Sequence, residues 1–168
     1  MFFERKKYLK ELIAGRGNGL VKIITGVRRC GKSFLLFNIW HNWLLEHGVT
    51  DNHIIEIQLD DFRNRRLRKP DALLDYIDSK VIEDGNPHYI VLDEVQMVED
   101  FVEVILSLTH MRNVDVYVSG SNSRFLSSDV VTEFRGRGDE IRIRPLTLDE
   151  CFNGLGGDIR KAWLASYT

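Results

Sequence analysis

Two stretches of the chain hold residue types that can act on a phosphate group. The first, GVRRCGKS at Gly26–Ser33, has two glycines separated by four residues and followed by lysine and serine. Glycines let backbone N–H groups wrap closely around a phosphate, the lysine adds a positive charge, and the serine hydroxyl can bind Mg²⁺. The spacing predicts a nucleotide-binding loop with ATP and Mg²⁺ as cofactors. The predicted contacts to the nucleotide are Gly26, Val27, Arg28, Arg29, Cys30, Gly31, Lys32, Ser33 and Phe34.

The second stretch, YIVLDEVQ at Tyr89–Gln96, ends an apolar run with two adjacent carboxylates. At the end of a buried strand, Asp93 can hold Mg²⁺ through its water shell, opposite Ser33. The neighbouring Glu94 can act as a general base on an attacking water. Such a pair alone also fits a solvated turn. Beside a complete phosphate loop, however, it predicts hydrolysis of a nucleoside triphosphate.

Other classes of phosphate-loop protein are recognised by features outside these two stretches. A small-molecule kinase needs an acceptor pocket and usually an arginine-rich lid, and a GTPase carries an Asn-Lys-x-Asp guanine reader after a strand. Neither pattern occurs in this sequence. An ATPase is therefore expected. The alternative that stays open is a nucleotide-gated binding module for DNA or a protein partner, with negligible hydrolysis.

Hydrophobic periodicity indicates the elements that position these residues. Helices are predicted at Lys32–Glu46, Pro70–Val81, about 100–109 and about 124–134. Strands are predicted at Leu20–Thr25, His53–Leu59, around Tyr89–Leu92, Val114–Gly120 and Glu140–Arg144. Because strands alternate with helices and the strands are apolar without interruption, we expect an α/β fold with a parallel sheet.

The overall composition is that of an ordinary globular protein. The chain has 168 residues, 43% of them hydrophobic and 29% charged, which is enough for one domain with a core. The net charge of -2 gives no general reason to expect nucleic acid or a membrane as a partner. No signal peptide is evident, and two cysteines suggest no disulfide framework, so a cytoplasmic location is expected.

The order of the motifs resembles that of the bacterial and archaeal AAA-type ATPases that are often described as predicted ATPases. Their phosphate loop commonly reads Thr-Gly-x-Arg-Arg-x-Gly-Lys-[Ser/Thr], as Thr25–Ser33 does, and their last strand is followed by Pro-Leu-[Ser/Thr]-x-x-Glu-Phe. Pro145–Phe152 resembles that ending, with Cys151 displacing the aromatic position by one. The resemblance extends from about Leu9 to Phe152.

The resemblance implies a three-layer sandwich around a five-stranded parallel sheet with strand order 5-1-4-3-2. In such ATPases a polar residue after the fourth strand contacts the γ-phosphate or orients the water, a role open to Ser121 or Asn122. An arginine before the last strand reaches a neighbouring subunit's nucleotide in a homo-oligomer, with Arg137 the first candidate and Arg135 the second. A plain turn and a solvated basic loop fit the same stretches. The predicted catalytic residues are Glu94, Lys32, Ser121, Asn122, Arg137 and Arg135, and the predicted metal ligands are Ser33 and Asp93.

The end of the chain is expected to start a second unit. TLDE at Thr147–Glu150 fits a capping box, in which the threonine hydroxyl and the glutamate carboxylate each bind a free backbone N–H. We therefore divide the chain into an ATPase core at 1–146 and the start of a helical C-terminal region at 147–168. The resemblance implies that this region continues in a longer protein, where it could carry the contact with DNA or a protein.

Two smaller features complete the prediction. The segment Arg63–Lys69 holds five arginines and lysines in seven residues. Without a set of interleaved aromatic residues, a solvated loop is the favoured interpretation and a nucleic-acid contact the alternative. Cys30 lies beside cationic residues at a helix start, so we expect a reactive thiol that nucleotide protects from modification.

Overall fold

The five predicted strands form one parallel sheet. The computed structural model describes residues 5–121, 125, 130–147, 150 and 152. Each neighbouring pair of strands is parallel, and the order across the sheet is β2-β3-β4-β1-β5. This confirms both the α/β class and the expected order. The strands are β1 (Val21–Thr25), β2 (Ile54–Gln58), β3 (His88–Asp93), β4 (Val114–Ser119) and β5 (Gly138–Arg142).

Helices cover both faces of the sheet. The α-helices are α1 (Lys6–Gly15), α2 (Lys32–Phe34), α3 (His41–Glu46), α4 (Pro70–Lys80), α5 (Phe101–Leu108) and α6 (Val130–Glu133). A π-helical segment, Leu35–Trp40, joins α2 to α3. Further 3₁₀ segments lie at Asp51–His53, Phe62–Arg68 and Val95–Met97.

The core is divided by the sheet into two apolar clusters. One cluster packs α4 and α5 onto the sheet through residues such as Leu73, Ile77 and Ile105. The other packs α1 and the helical segment after β1 onto the opposite face, around Leu12 and Trp40. Because alternate residues of a strand point to opposite faces, β1 contributes Ile23 to the first cluster and Ile24 to the second. The fold is therefore the expected three-layer α/β sandwich.

Three elements differ from the sequence prediction. Helix α1 was not predicted, and it buries Tyr8 and Leu12, four residues apart on one face. The predicted helix Lys32–Glu46 is helical over that length, but its middle is a π-helix. This π-helix holds the buried Trp40 ring with its centroid 5.2 Å from the centroid of the Tyr117 ring. Strand β5 begins at Gly138, two residues before the predicted start.

The early start of β5 comes from pairing of Gly138 with Val21 of β1. A Cβ atom at Gly138 would lie 2.5 Å from the Ile23 Cδ1 atom, so a side chain there would force Ile23 to shift. Patterns of side-chain hydrophobicity treat glycine as a breaker and therefore miss this position. The predicted helix at 124–134 lies partly outside the described residues; Phe125 and Val130–Glu133 are helical.

The parallel arrangement brings the polar motifs to one edge of the sheet. Strands β3, β4 and β1 are neighbours, and all three run in the same direction. Their carboxyl ends therefore lie side by side, which is where parallel sheets bind ligands. Within the part of the chain that the structure describes, no helix is long and apolar enough to span a bilayer.

Candidate functional site

The loop after β1 has the backbone of a phosphate cradle. Gly26 and Gly31 have φ angles of 149° and 93°, and Arg29 between them has 65°. A Cβ atom at Gly26 would lie 2.5 Å from the Ile143 carbonyl oxygen and 2.7 Å from the Cys30 Sγ atom. Glycine is thus required at Gly26 by both conformation and close approach. The structure places the two glycines as the motif predicts.

The amide groups of this loop are available to a ligand. Two backbone bonds hold the loop, from the Cys30 N–H to the Val27 carbonyl at 3.3 Å and from the Leu35 N–H to the Gly31 carbonyl at 2.9 Å. Among the described residues, no hydrogen bond uses the N–H groups at positions 31, 32 and 33. Free amide groups at a helix start attract anions, because their dipoles are aligned along the helix.

Lys32 is folded against the loop that it follows. Its Nζ atom donates to the carbonyl oxygens of Gly26 at 3.0 Å and Val27 at 3.2 Å, and the residue is 4% exposed. Its ammonium group therefore lies inside the curve of the loop. Among the described residues, only carbonyl oxygens contact this buried ammonium group, so its positive charge favours an anion in the same place.

Ser33 and Asp93 meet across the sheet edge although they are 60 residues apart. The Ser33 Oγ donates to the Asp93 Oδ2 at 2.5 Å. The other carboxylate oxygen, Asp93 Oδ1, accepts a hydrogen bond from Ser119 Oγ at the end of β4. Ser119 also accepts a bond of 3.2 Å from the Glu94 N–H. Ser119 was not predicted as a site residue, because the sequence shows it only as a residue of the fourth predicted strand.

Burial raises the pKa of the Asp93 carboxyl above its ordinary value. The hydrogen bonds from Ser119 and Ser33 act in the opposite direction, and the negative charges of Glu94 and Asp60 raise the pKa further. The free carboxylate is therefore poorly compensated by its surroundings. A cation bound beside Asp93 would relieve this cost.

The donors present suit a cation that keeps most of its water. Ser33 and Asp93 offer one hydroxyl and one carboxylate, both hard oxygen ligands. Among the described residues, no group of three or more His, Cys, Asp or Glu side chains is arranged to hold a metal ion. Mg²⁺ fits this two-ligand site, since it commonly binds through one or two protein oxygens plus phosphate and water.

Glu94 follows β3 in a left-handed backbone conformation, with a φ angle of 56°. Its two carboxylate oxygens accept bonds from the Ser121 Oγ at 3.0 and 2.8 Å, and Gln96 Nε2 donates to one of them at 2.5 Å. Positive φ is costly for a residue with a side chain, and such strain is often found at functional sites. The carboxylate is thus held at the same edge as Asp93.

The remaining predicted nucleotide contacts of the phosphate loop differ in their exposure to solvent. Val27, Arg28 and Arg29 are exposed, and Phe34 is half-buried against the apolar cluster beneath the helix. Asn122, the second candidate for the polar residue after β4, lies outside the described residues.

The burial of Cys30 contradicts the prediction that its thiol is reactive. It is 5% exposed and packs in the apolar cluster with Ile24, Ile141 and Ile143. Reagents must reach a thiol before its chemistry matters, so burial makes this cysteine a packing residue. The prediction considered neighbours along the chain, whereas β5 and the segment after it cover the thiol.

Arg5 contacts the back of the loop and was not recognised from the sequence. It is 3% exposed, and its Nη2 atom donates to the carbonyl oxygens of Cys30 at 3.2 Å and Arg144 at 2.6 Å. Its Nη1 atom lies 3.4 Å from Glu150 Oε2. Glu150 also forms the predicted capping box, accepting from the Thr147 N–H at 2.9 Å and donating its own N–H to Thr147 Oγ1 at 3.2 Å.

The two candidate arginines lie at the far end of the sheet. The Arg137 carbonyl accepts a bond of 2.8 Å from the Val21 N–H, at the start of β1, whereas the phosphate loop follows the other end of β1. Arg137 is exposed and contacts His110 at 3.2 Å. Arg135 forms an ion pair with Glu103 at 2.6 Å. The structure therefore does not bring either arginine to its own chain's loop.

The sequence of residues 18–152 matches the family described as AAA domain. The chain belongs to this family. Its members' fold and the geometry above agree, so this AAA domain is a nucleotide-binding core of the AAA-type, phosphate-loop ATPases, as the resemblance implied.

Relatives of this AAA domain are longer proteins. An uncharacterized protein of Haemophilus influenzae is 31% identical over 146 residues, which is 87% of this chain and 36% of that protein. The chain spans about a third of the length of the curated relatives that it matches.

Solved structures share the fold at low sequence identity. Cdc6p from Pyrobaculum aerophilum has a TM-score of 0.61 and 17% identity, over 93% of this chain and 49% of that one. The Aeropyrum pernix Orc1 protein, solved in complex with DNA, has a TM-score of 0.62 and 12% identity over the same shares. At this identity, the likeness supports the fold of the AAA domain alone.

Proposed function

We propose that this AAA domain binds ATP with Mg²⁺ and hydrolyses it. The observation that carries the proposal is the Ser33–Asp93 hydrogen bond of 2.5 Å at the carboxyl edge of the sheet. It joins the end of the phosphate loop to the strand-end carboxylate, and these are the hydroxyl and the carboxylate that would hold Mg²⁺ beside a nucleoside triphosphate.

The loop residues act as the phosphate-binding part of the site. Lys32, with the free N–H groups at positions 31–33, binds the β- and γ-phosphates, and Gly26 lets the backbone approach them. Ser33 and Asp93 would hold Mg²⁺, which would neutralise charge on the phosphate oxygens when bound. A cation at this place would also offset the cost of burying the Asp93 carboxylate.

Glu94 is the general base in this proposal. Ser121 donates to its carboxylate at 2.8 Å and Gln96 at 2.5 Å, and these two bonds set the direction of the carboxylate. Ser121 then acts through Glu94 or on the γ-phosphate, and Asn122 is the alternative for the second role.

An arginine from a neighbouring subunit completes the proposed site. Arg137 lies at the opposite end of β1 from its own phosphate loop, so it can reach a nucleotide only on another copy of the chain. Arg137 is preferred to Arg135, because Arg135 already pairs with Glu103 at 2.6 Å. This requires a homo-oligomer in which each interface supplies one arginine.

A binding module with negligible hydrolysis is the second candidate. It is favoured by the engagement of both Glu94 oxygens, which leaves the proposed base occupied by Ser121 and Gln96. ATP occupancy would then switch the affinity for DNA or a protein. The Orc1 structure with a similar fold is a complex with DNA, which makes DNA one candidate partner for such a switch.

The division of the chain is part of the same proposal. We place the ATPase core at 1–146 and a helical region from Thr147 onward, where the capping box begins a helix. The contact between Arg5 and Glu150 would let that region sense the loop, because Arg5 also binds the Cys30 carbonyl.

The rate of phosphate release from ATP by the Glu94→Gln variant distinguishes ATP hydrolysis from nucleotide-gated binding. We expect the variant to bind ATP with unchanged affinity and to lose at least about 100-fold in kcat, since a positioned base contributes that much. Glu83→Gln is the matched control at an exposed carboxylate. Equal rates for Glu94→Gln and wild type would show that the assigned base is wrong. Tight ATP binding with no phosphate release from the assembled wild type would favour the binding module.

A further inference from the structure

The basic segment after β2 is a rigid turn with an inward and an outward side. It forms the 3₁₀ segment Phe62–Arg68, capped by Asp61, whose side chain accepts from the Arg63 N–H at 2.9 Å. On the inward side, Leu67 is buried and Arg68 Nε donates to the Leu59 carbonyl at 2.8 Å. The outward side chains are therefore presented by a fixed backbone.

An aromatic ring and a guanidinium group are stacked on the outward side. Phe62 is 69% exposed, and the Arg65 guanidinium lies 4.5 Å from the centre of its ring. From the sequence, this segment fits a solvated loop better than a binding surface, because no set of aromatic residues is interleaved with the basic ones and two aspartates precede them. The structure instead places Phe62 directly beside the arginines. Single apolar residues are common on protein surfaces, but this ring lies against a guanidinium group on a fixed turn.

The positive charge of the outward side is only partly compensated. Arg63 forms an ion pair with Asp61 at 2.6 Å, and Lys69 pairs with Glu99 at 2.5 Å. Over the part of the chain that the structure describes, neither Arg65 nor Arg66 forms an ion pair, and both are exposed. We call Phe62, Arg65 and Arg66 the basic turn. It combines one free aromatic face with two unpaired guanidinium groups.

The turn is attached at both ends to the segment that holds the candidate carboxylates. The Leu59 N–H donates to the Asp93 carbonyl at 3.1 Å, and the Glu99 N–H donates to the Arg68 carbonyl at 3.1 Å. A ligand on the basic turn would therefore lie on the sheet edge that carries the nucleotide site. The surface is nevertheless separate from the phosphate loop, which follows β1, two strands further across the sheet from β3.

We propose that the basic turn binds single-stranded DNA. Bases of a single strand stack on an exposed aromatic ring, and unpaired arginines neutralise the phosphates beside it. In a duplex the base faces are stacked inside the helix. A duplex could therefore contact the arginines through its phosphates, but no base could stack on Phe62. Stacking and phosphate contact use only the base and the phosphate, and need nothing from the ribose 2′-hydroxyl by which proteins tell RNA from DNA. DNA is therefore the strand we assign.

Fluorescence anisotropy of a labelled 20-mer of dT tests the proposal without nucleotide, so the result does not depend on hydrolysis. We expect the wild-type chain to bind the oligonucleotide at low salt. Phe62→Ala should lower this affinity by roughly tenfold, because one stacked base is lost. Arg66→Ala should also weaken binding and reduce the slope of log Kd against log salt concentration by about 0.7, the value for one phosphate contact. Lys10→Ala is the matched control, because it removes an exposed cation on α1, which covers the other face of the sheet.

Three results would overturn the assignment. One is a wild-type chain that does not bind the oligonucleotide at low salt. A second is equal affinity for wild type, Phe62→Ala and Arg66→Ala, which would place any DNA contact elsewhere. The third is tighter binding of a 20-mer of U, of duplex DNA or of polyglutamate with the same sensitivity to Phe62→Ala, which would assign the basic turn to RNA, to duplex or to an acidic protein. Circular dichroism of each variant confirms that the fold is kept.

Discussion

The guanidinium group of Arg5 and the carbonyl group of Cys30, 25 residues apart, are joined by a hydrogen bond of 3.2 Å behind the phosphate loop. The same guanidinium binds the Arg144 carbonyl at 2.6 Å and approaches Glu150. One buried side chain thus links the start of the chain, the loop and the segment after β5. The loop owes its shape to this tertiary contact as well as to its glycines.

Arg5→Ala should destabilise the protein and loosen the loop. Two carbonyl groups lose a charged donor inside the protein, which costs about 2–3 kcal/mol and lowers Tm by roughly 5–10 °C. ATP affinity, measured well below Tm, should also fall. Lys10→Ala, an exposed position on α1, is the control and should leave both quantities unchanged. An Arg5→Ala protein with wild-type Tm would show that the contact contributes nothing.

Asp93→Asn should stabilise the protein without nucleotide while removing activity. Because burial raises the pKa of Asp93 in the folded state, the folded protein binds more protons than the unfolded chain, and stability falls as pH rises through that range. The penalty is complete above the folded pKa and absent below the unfolded pKa, at about pH 4. The variant should therefore melt above wild type at pH 7, with a difference that shrinks towards pH 4. Asp78→Asn serves as the exposed comparison; a difference independent of pH would contradict the argument.

Ser121→Ala should slow hydrolysis without weakening ATP binding. Its hydroxyl contacts Glu94 at 2.8 Å and no atom of the phosphate loop among the described residues, so its loss misplaces the proposed base alone. We expect kcat to fall about tenfold, a typical effect of lost positioning, with KM unchanged. Steady-state kinetics give both values. A higher kcat would mean that Ser121 restrains Glu94, in line with the binding-module alternative.

Arg137→Ala and Glu94→Gln should complement each other if the arginine acts between subunits. Each variant alone should be inactive, with losses of about 1,000-fold for the arginine. Mixed oligomers contain interfaces in which an intact Glu94 meets an intact Arg137, so part of the activity returns. Arg135→Ala should cost less, because Arg135 is paired with Glu103. If the mixed oligomers are shown to exchange subunits and still release no phosphate, Arg137 does not act on a neighbouring subunit's nucleotide.

Most of the fold was predictable because its signals are local. Apolar runs and their spacing located all five strands, and the alternation with helices predicted the parallel sheet. The errors occurred where a distant neighbour decides. Gly138 is a strand residue because it pairs with Val21 of β1, and α1 is a helix whose buried face is defined by the sheet that it covers.

The sequence by itself determined which residues can form the candidate site: the glycines, Lys32 and Ser33 of the loop, and the Asp93–Glu94 pair, since these types and spacings follow from phosphate chemistry. Only the tertiary structure decided which of them meet. It joined Ser33 to Asp93 and Ser121 to Glu94, covered Cys30, recruited Arg5 and Ser119, and left Phe62 exposed beside Arg65. Burial and contact between distant residues depend on how strands are ordered in the sheet, and no local pattern records that order.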